Sequence, residues 1–278
     1  MPQVRARGML ISKTGNTESE CEDAFGVLPI GAGTSRGVHG PVVAVVADGA
    51  SESILAAPWA KAIVGSMTSR LLADHSTLRP GARFSEVLDG LKSSWKAYVD
   101  AYVYQRSQTG NPLKWYEEKK LASGAFATFL AFRVDGGADY SGGGPTWSAA
   151  SIGDSCLFQL RDGQLLTCFP LQSCNQFTSR PGLFGSLSKT SDLVLRANFL
   201  QGASEENDEF FLMTDALAAY FLSVAEGTSE SLGRVSRTLG LFINNEDHAG
   251  FSAWVEERRI SGILRNDDVA VVHVKIGE

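Results

Sequence analysis

Val42-Val43-Ala44-Val45-Val46-Ala47-Asp48-Gly49 is an unbroken apolar run that ends on a carboxylate and a glycine. Its length and β-branched content read as a strand buried on both faces. The same ending recurs along the chain. Residues 147–152 are apolar and run into Gly153-Asp154-Ser155, residues 210–214 run into Asp215, and Asp267-Asp268 opens the last apolar run at 269–276. Glu22-Asp23 stands just before a short apolar stretch at 24–28. Such a set, widely spaced in sequence, implies strand ends that gather carboxylates in one place. Clustered carboxylates repel one another unless a cation neutralises them. Oxygen-only ligands favour Mg²⁺ or Mn²⁺ over zinc or copper.

The composition bounds the class. With 278 residues, 44% hydrophobic and 20% charged, the chain has the balance of a globular protein able to bury a sizeable core. A net charge of −6 argues against a general nucleic-acid binder. No apolar run approaches the roughly 20 residues that span a bilayer, and residues 1–7 lack the apolar centre of a secretory signal. Cys21, Cys156, Cys168 and Cys174 form no C-x-x-C pair and read as reduced thiols in a cytoplasmic protein. His39, His75, His248 and His273 are scattered, without metal-ligand spacing.

Strand and helix periods alternate along the chain. Residues 8–12, 24–28 and 42–47 read as strands, separated by a polar loop at 13–21 and a Gly- and Ser-rich turn at 31–40. Pro58 suits a first helical turn, and Trp59, Ile63, Met67 and Leu71 then recur at i+4. Residues 84–102 carry apolar positions at helical spacing, and 114–121 predict a short third helix. Strands are expected at 125–134, 147–152, 156–160 and 165–169, the last two joined by the turn Arg161-Asp162-Gly163-Gln164. Residues 135–146 form a Gly-rich loop and 172–192 read as irregular. The last third predicts a strand at 210–213, helical segments at 216–224 and 229–239, a helix at 247–259 and a closing strand at 269–276. No linker interrupts the pattern, so residues 1–278 are expected to form one domain. Strands in runs with segregated helices imply an α+β fold in which packed sheets are covered by helices.

Each acidic motif has a plain structural reading of its own. Asp-Gly after a strand is a common turn, and Asp154 would satisfy backbone N–H groups in a tight turn. Asp215 would cap the helix that follows. Asn266-Asp267-Asp268 would be a polar turn, and Glu22-Asp23 exposed charge. Their joint order sets these readings aside. Glu22-Asp23-Ala24-Phe25, Val45-Val46-Ala47-Asp48-Gly49, Gly124-Ala125-Phe126-Ala127-Thr128, Gly153-Asp154-Ser155 with Arg161-Asp162-Gly163, Leu212-Met213-Thr214-Asp215 and Asp267-Asp268-Val269-Ala270-Val271-Val272 resemble, in sequence order, the motifs of the type 2C phosphatases. These form the PPM family of metal-dependent serine/threonine phosphatases, and the resemblance spans residues 8–275.

The resemblance implies a four-layer α-β-β-α sandwich, two packed antiparallel sheets flanked by helices, with a binuclear Mn²⁺/Mg²⁺ centre between the sheets. It implies that Asp48 bridges both ions and that Gly49 offers its carbonyl oxygen to one of them. Asp215 and Asp267 would complete the second position, with Asp23 or, equally, Glu22 beside it. Asp154 with Asp215 would match a third metal position. Catalysis would then fall to Asp48, Asp215 and Asp267, a metal-activated water attacking phosphorus in line. That suits a chain with no visible nucleophilic Ser or Cys constellation. The implied partner is a protein bearing phosphoserine or phosphothreonine, opposite a Ser/Thr kinase in the cytoplasm, with no nucleic acid and no membrane.

Four positions depart from the family pattern and point to a divergent, bacterial-type branch. Glu18 stands where many members have an arginine for the substrate phosphate; Lys13 is the nearest upstream cation, a point charge in place of a fork. Ala50 replaces a histidine, Ala216 a glycine and Asp268 an asparagine. Two alternatives stand beside the phosphoprotein phosphatase: a catalytically weak phosphatase-like regulatory or binding module, favoured by the lost arginine, and a phosphatase of small phosphorylated molecules.

Overall fold

A computed structural model describes residues 3–34, 36–135, 145–227 and 230–277. Its strands are β1 (Val4–Ile11), β2 (Asp23–Leu28), β3 (Val42–Gly49), β4 (Phe126–Asp135), β5 (Thr146–Ile152), β6 (Cys156–Arg161), β7 (Gln164–Phe169), β8 (Phe184–Gly185), β9 (Asn198–Ala203), β10 (Glu209–Met213) and β11 (Val269–Ile276). They form two antiparallel sheets. One has the order β1-β11-β10-β6-β7; the other runs β2-β3-β4-β5-β9, with β8 paired to the start of β4. Helices α1 (Ala56–Ala73), α2 (Ala82–Gln108), α3 (Trp115–Ala122) and α4 (Thr190–Arg196) belong to the second sheet's side. Helices α5 (Asp215–Ala225), α6 (Leu232–Asn245) and α7 (His248–Ile260) cover the first. The layers are those of an α-β-β-α sandwich.

The unbroken apolar runs follow from this layering. A strand with a helix layer on one face and a second sheet on the other has no wet side, so both of its alternating faces are apolar. In β3, Val43, Val45 and Ala47 pack toward α1 and α2, while Val42, Ala44 and Val46 pack against the facing sheet. In β11, Val269 and Val271 face the helices, and Val272, Val274 and Ile276 face the other sheet. The i+4 row of α1, Trp59, Ile63, Met67 and Leu71, is wholly buried on the second sheet.

Several boundaries differ from those read in the sequence. The first strand begins at Val4, which bridges Val38 and also opens the ladder to β11 opposite Ile276. Helix α2 continues past Tyr102 to Gln108, although none of its residues beyond Trp95 is buried. Residues 172–192 contain a 3₁₀ turn at Cys174–Gln176, then β8 and the start of α4. Neither α4 nor β9 is visible in the periodicity. Leu193 is the one buried residue of α4, and β9 is a half-exposed edge strand. Helix α6 runs Leu232–Asn245 instead of 229–239, and Ser229 lies outside the described residues. Of the Gly-rich loop at 135–146, residues 136–144 lie outside the described residues, while Asp135 and Thr146 pair with each other in the sheet. Among the described residues, no helix is long and apolar enough to cross a membrane.

Candidate functional site

The alternation that builds the layers also aims the carboxylates. Even-numbered residues of β3 face the other sheet, so Asp48 follows Val42, Ala44 and Val46 into the seam between the sheets. On β2 the odd-numbered residues do the same. Phe25 and Val27 pack on the inter-sheet core, and Asp23 lies directly across the ladder from Asp48. From the opposite sheet, β10 sends Phe210 and Leu212 inward and is followed by Thr214. The buried Thr214 hydroxyl donates to Asp23 Oδ2 at 2.8 Å and accepts the Ala270 N–H at 2.8 Å. One side chain thus ties the two sheets together beneath the carboxylates.

Three further aspartates reach the same end of the seam. Asp215 is the first residue of α5, where the helix dipole favours a negative charge. The N-cap position is held by Thr214, whose hydroxyl is committed to Asp23. Gly153 turns the chain out of β5 with φ +106°, and a Cβ there would lie 2.5 Å from the Thr128 side chain. Only glycine fits, and the turn delivers Asp154. Asp154 is buried, and its Oδ1 has no hydrogen-bond partner. Asp267 sits just before β11 and accepts the Asp268 N–H at 3.0 Å. Gly49 is required for a related reason: a Cβ there would lie 2.7 Å from the Ala56 carbonyl oxygen and 2.8 Å from that of Glu22.

The electrostatics express this convergence. Burial, and then the charges of Asp215, Asp267 and Asp154, push the Asp48 carboxyl up to about 8, against a hydrogen bond with Asp23. Burial and the Asp48 charge hold Asp23 well above the usual carboxylate range. Burial and Asp215 raise Asp154 to about 7. Asp215 is also raised by burial, with Arg265 opposing the shift.

Other residues lie at the rim. Glu22 turns away from the buried group; its Oε2 accepts from the Ser51 hydroxyl and stands 3.5 Å from Lys13 Nζ. Between the two acids at 22 and 23, it is Asp23 that joins the seam. Burial opposes the charge on Lys13, but Glu22, Asp268 and Asp267 outweigh it and hold the ammonium above its ordinary range. Asp268 clamps the N-terminal loop, accepting the Lys13 N–H at 2.7 Å and the Glu22 N–H at 2.8 Å. Glu18 lies exposed on the 3₁₀ turn Glu18–Glu20. Arg265, unmarked by any motif, places Nη2 2.7 Å from Asp215 Oδ2. Thr214 and Ser51 have no sequence mark either, since a hydroxyl beside a carboxylate carries no periodic signal.

As placed, no three His, Cys, Asp or Glu side chains among the described residues form a set ready to hold a metal ion. Arg265 has taken one oxygen of Asp215, and Asp23 and Asp48 bond each other. The donor chemistry nevertheless suits a hard dication. Every converging side chain is an oxygen donor, Asp154 Oδ1 is buried without a partner, and the raised carboxyls are those a dication would relieve of repulsion.

The chain matches no protein-family model and no curated protein. Solved structures do match its fold. The photosystem II phosphatase PBCP is 15% identical over 98% of both chains, with a TM-score of 0.54. The catalytic domain of the serine/threonine protein phosphatase PstP, solved in complex with two manganese ions, is 15% identical over 100% of both chains, with a TM-score of 0.54. The PP2C phosphatase domain of SpoIIE from Bacillus subtilis, with a fragment of its regulatory domain, is 14% identical over 99% of this chain and 64% of that one, again at 0.54. This chain has the type 2C phosphatase fold. At such identities the likeness concerns the fold, and the roles of side chains on this type 2C scaffold rest on where its own residues stand.

Proposed function

We propose that this chain is a metal-dependent protein phosphatase that hydrolyses phosphoserine and phosphothreonine with Mn²⁺ or Mg²⁺. The observation that carries the reading is the convergence of Asp23, Asp48, Asp154, Asp215 and Asp267 at one end of the seam of a type 2C fold. Asp48 interacts with the other four and is the natural ligand to share between two ions. Asp23, Asp215, Asp267 and the Gly49 carbonyl would complete those two positions, and Asp154 with Asp215 would serve a third. Divalent ions bound there would lower the pKa of a water and neutralise phosphoryl oxygens. The chain's own part is to hold the carboxylates on strand ends, with Thr214 fixing Asp23 from the opposite sheet. Lys13 Nζ, at the rim, offers a positive charge to an entering phosphate dianion. The manganese in PstP adds support by analogy. The partner would be a cytoplasmic phosphoprotein opposite a Ser/Thr kinase. The deciding measurement is hydrolysis of an aryl phosphate and of phosphoserine and phosphothreonine peptides with Mn²⁺, with and without a chelator. Absence of metal-dependent phosphate release from all three sinks the proposal.

One observation favours the weaker, regulatory alternative. Arg265 grips Asp215 Oδ2 at 2.7 Å, and a metal at that position would share the carboxylate with it or displace it. A site that turns over only after Arg265 is moved would be a regulated phosphatase or a binding module, in place of a constitutive enzyme.

A further inference from the structure

Three hollows on the helical side of the second sheet share lining residues. The first, about 380 Å³, begins at Lys13, Glu22 and Ser51 on the rim of the carboxylate seam and ends at Ile54 and Pro58. Pro58 also opens the second, a furrow of about 550 Å³ between α1 and α2 lined by Ala62, Leu91, Trp95 and Tyr98. Ile54 opens the third, about 240 Å³, which meets the second at Trp95 and is walled by Val99, Leu121 and Leu187. The hollows are thus neighbours, set from the rim of the candidate site at Lys13 to Trp95 through Pro58 and Ile54.

The sequence keeps this furrow open and apolar. Pro58, Ala62 and Ser66 lie at i, i+4 and i+8 on α1, a stripe of small residues about 12 Å long. Across from it, the Ser94 hydroxyl of α2 bonds back to its own helix at the Gly90 carbonyl, 3.0 Å away, and leaves that wall without a polar demand. Tyr98 stacks on Trp95, with centroids 4.9 Å apart and planes at 19°, yet Tyr98 is 45% exposed and Leu187 68%. Charge adds the second constraint. In a chain of net charge −6, the charged residues lining the second and third hollows are Lys61, Lys92 and Lys96, with no carboxylate among them. Lys92 pairs with Asp89 at 3.1 Å; Lys61 and Lys96 have no ion-pair partner among the described residues.

We infer that this furrow docks the segment of the phosphoprotein substrate that flanks its phosphorylated residue. The occupant is an extended stretch of about four residues, the length that 12 Å admits. It carries a bulky apolar side chain against Trp95 and Tyr98 and acidic side chains facing Lys61 and Lys96. The inference rests on the phosphatase reading for the position of the phosphate. The apolar and cationic character of the furrow is independent of catalysis.

The test compares two phosphothreonine peptides of equal length, one with an acidic, aromatic flank and one with a Gly/Ser flank, alongside an aryl phosphate, all with Mn²⁺. The wild-type chain should favour the first peptide at least tenfold in kcat/KM. The Lys61→Glu/Lys96→Glu double variant and Tyr98→Ala should lose that preference while aryl phosphate turnover changes less than twofold. Fluorescence anisotropy with the same two peptides, fluorescein-labelled and carrying a non-hydrolysable phosphonate, gives a readout that needs no turnover. If nothing is hydrolysed but the tenfold binding preference persists and falls in the variants, the docking surface stands and the enzymatic reading fails. Equal affinity for the two peptides overturns the docking surface whatever the activity. So does a dimer in sedimentation that Lys61→Glu/Lys96→Glu dissociates, because a second copy would then fill the furrow.

Discussion

Asp48 carries its charge into a seam where burial and the neighbouring aspartates push its titration up to about 8. The group is therefore set for a cation, since burial and the neighbouring charges outweigh the one hydrogen bond, with Asp23, that favours its ionised form. Asp48→Asn keeps the shape and removes the repulsion. It should cost on the order of 10³-fold or more in Mn²⁺-dependent aryl phosphate hydrolysis, while the melting temperature of the metal-free chain at pH 8 stays level or rises. Wild-type turnover in this variant would falsify the shared-ligand role. Arg265 acts in the opposite sense, as an internal cation already holding Asp215. Arg265→Gln should lower the Mn²⁺ concentration for half-maximal activity several-fold. A higher requirement would mean that the guanidinium assists the metal or the substrate instead of competing for Asp215. Lys13, 3.5 Å from Glu22, offers uniform binding to a phosphate dianion. Lys13→Ala should accordingly raise KM more than it lowers kcat, and steady-state kinetics showing an unchanged KM would leave the metals alone to hold the phosphate.

Elements whose two faces are both buried were the ones legible in the sequence. β3 and β11 have no solvated side, so their apolar runs are unbroken, and the row of α1 repeats at i+4 because a sheet lies beneath it. α4 and β9 escaped because one buries a single residue and the other is an edge strand with weak alternation. The end of α2 at 103–108 escaped because no buried residue marks it. At the site, Asp23, Asp48, Asp154, Asp215 and Asp267 stood out as strand-end carboxylates. Which of Glu22 and Asp23 enters the seam required the register of β2 on β3, a long-range pairing that spacing does not encode. Thr214 and Arg265 were silent for the same reason, their partners lying 191 and 50 residues away. The link made by Thr214 between β10 and β2 can be tested as an element of stability. Thr214→Val keeps the volume but strands the Asp23 carboxyl and the Ala270 N–H without their partner. It should destabilise the chain by about 1–3 kcal/mol, read as a lowered denaturant midpoint at unchanged slope. No shift of the midpoint would show that the two sheets do not depend on that hydroxyl.

Over the whole molecule, the seam couples folding, protons and metal. Asp23, Asp48, Asp154 and Asp215 are all raised, with Asp48 at about 8 and Asp154 at about 7, chiefly by burial. Unfolded, the same carboxyls titrate near pH 4. Between about pH 4 and 8 the folded chain thus binds more protons than the unfolded one, so its stability falls as pH rises through that range. This is the reverse of a protein whose carboxylates are salt-bridged. The metal-free chain should melt at progressively lower temperature from pH 5.5 to pH 8.5, and Asp48→Asn should flatten the slope by removing one of the titrating groups. A divalent ion binding these carboxylates displaces the protons they retain, so the rise in melting temperature on adding Mn²⁺ or Mg²⁺ should be larger at pH 8 than at pH 5.5. Scanning calorimetry across that range, with chelator and with metal, measures both slopes. Stability that climbs with pH in the chelated chain, or a metal-induced shift that shrinks from pH 5.5 to pH 8, would mean that the buried aspartates are not the groups that take up the cation.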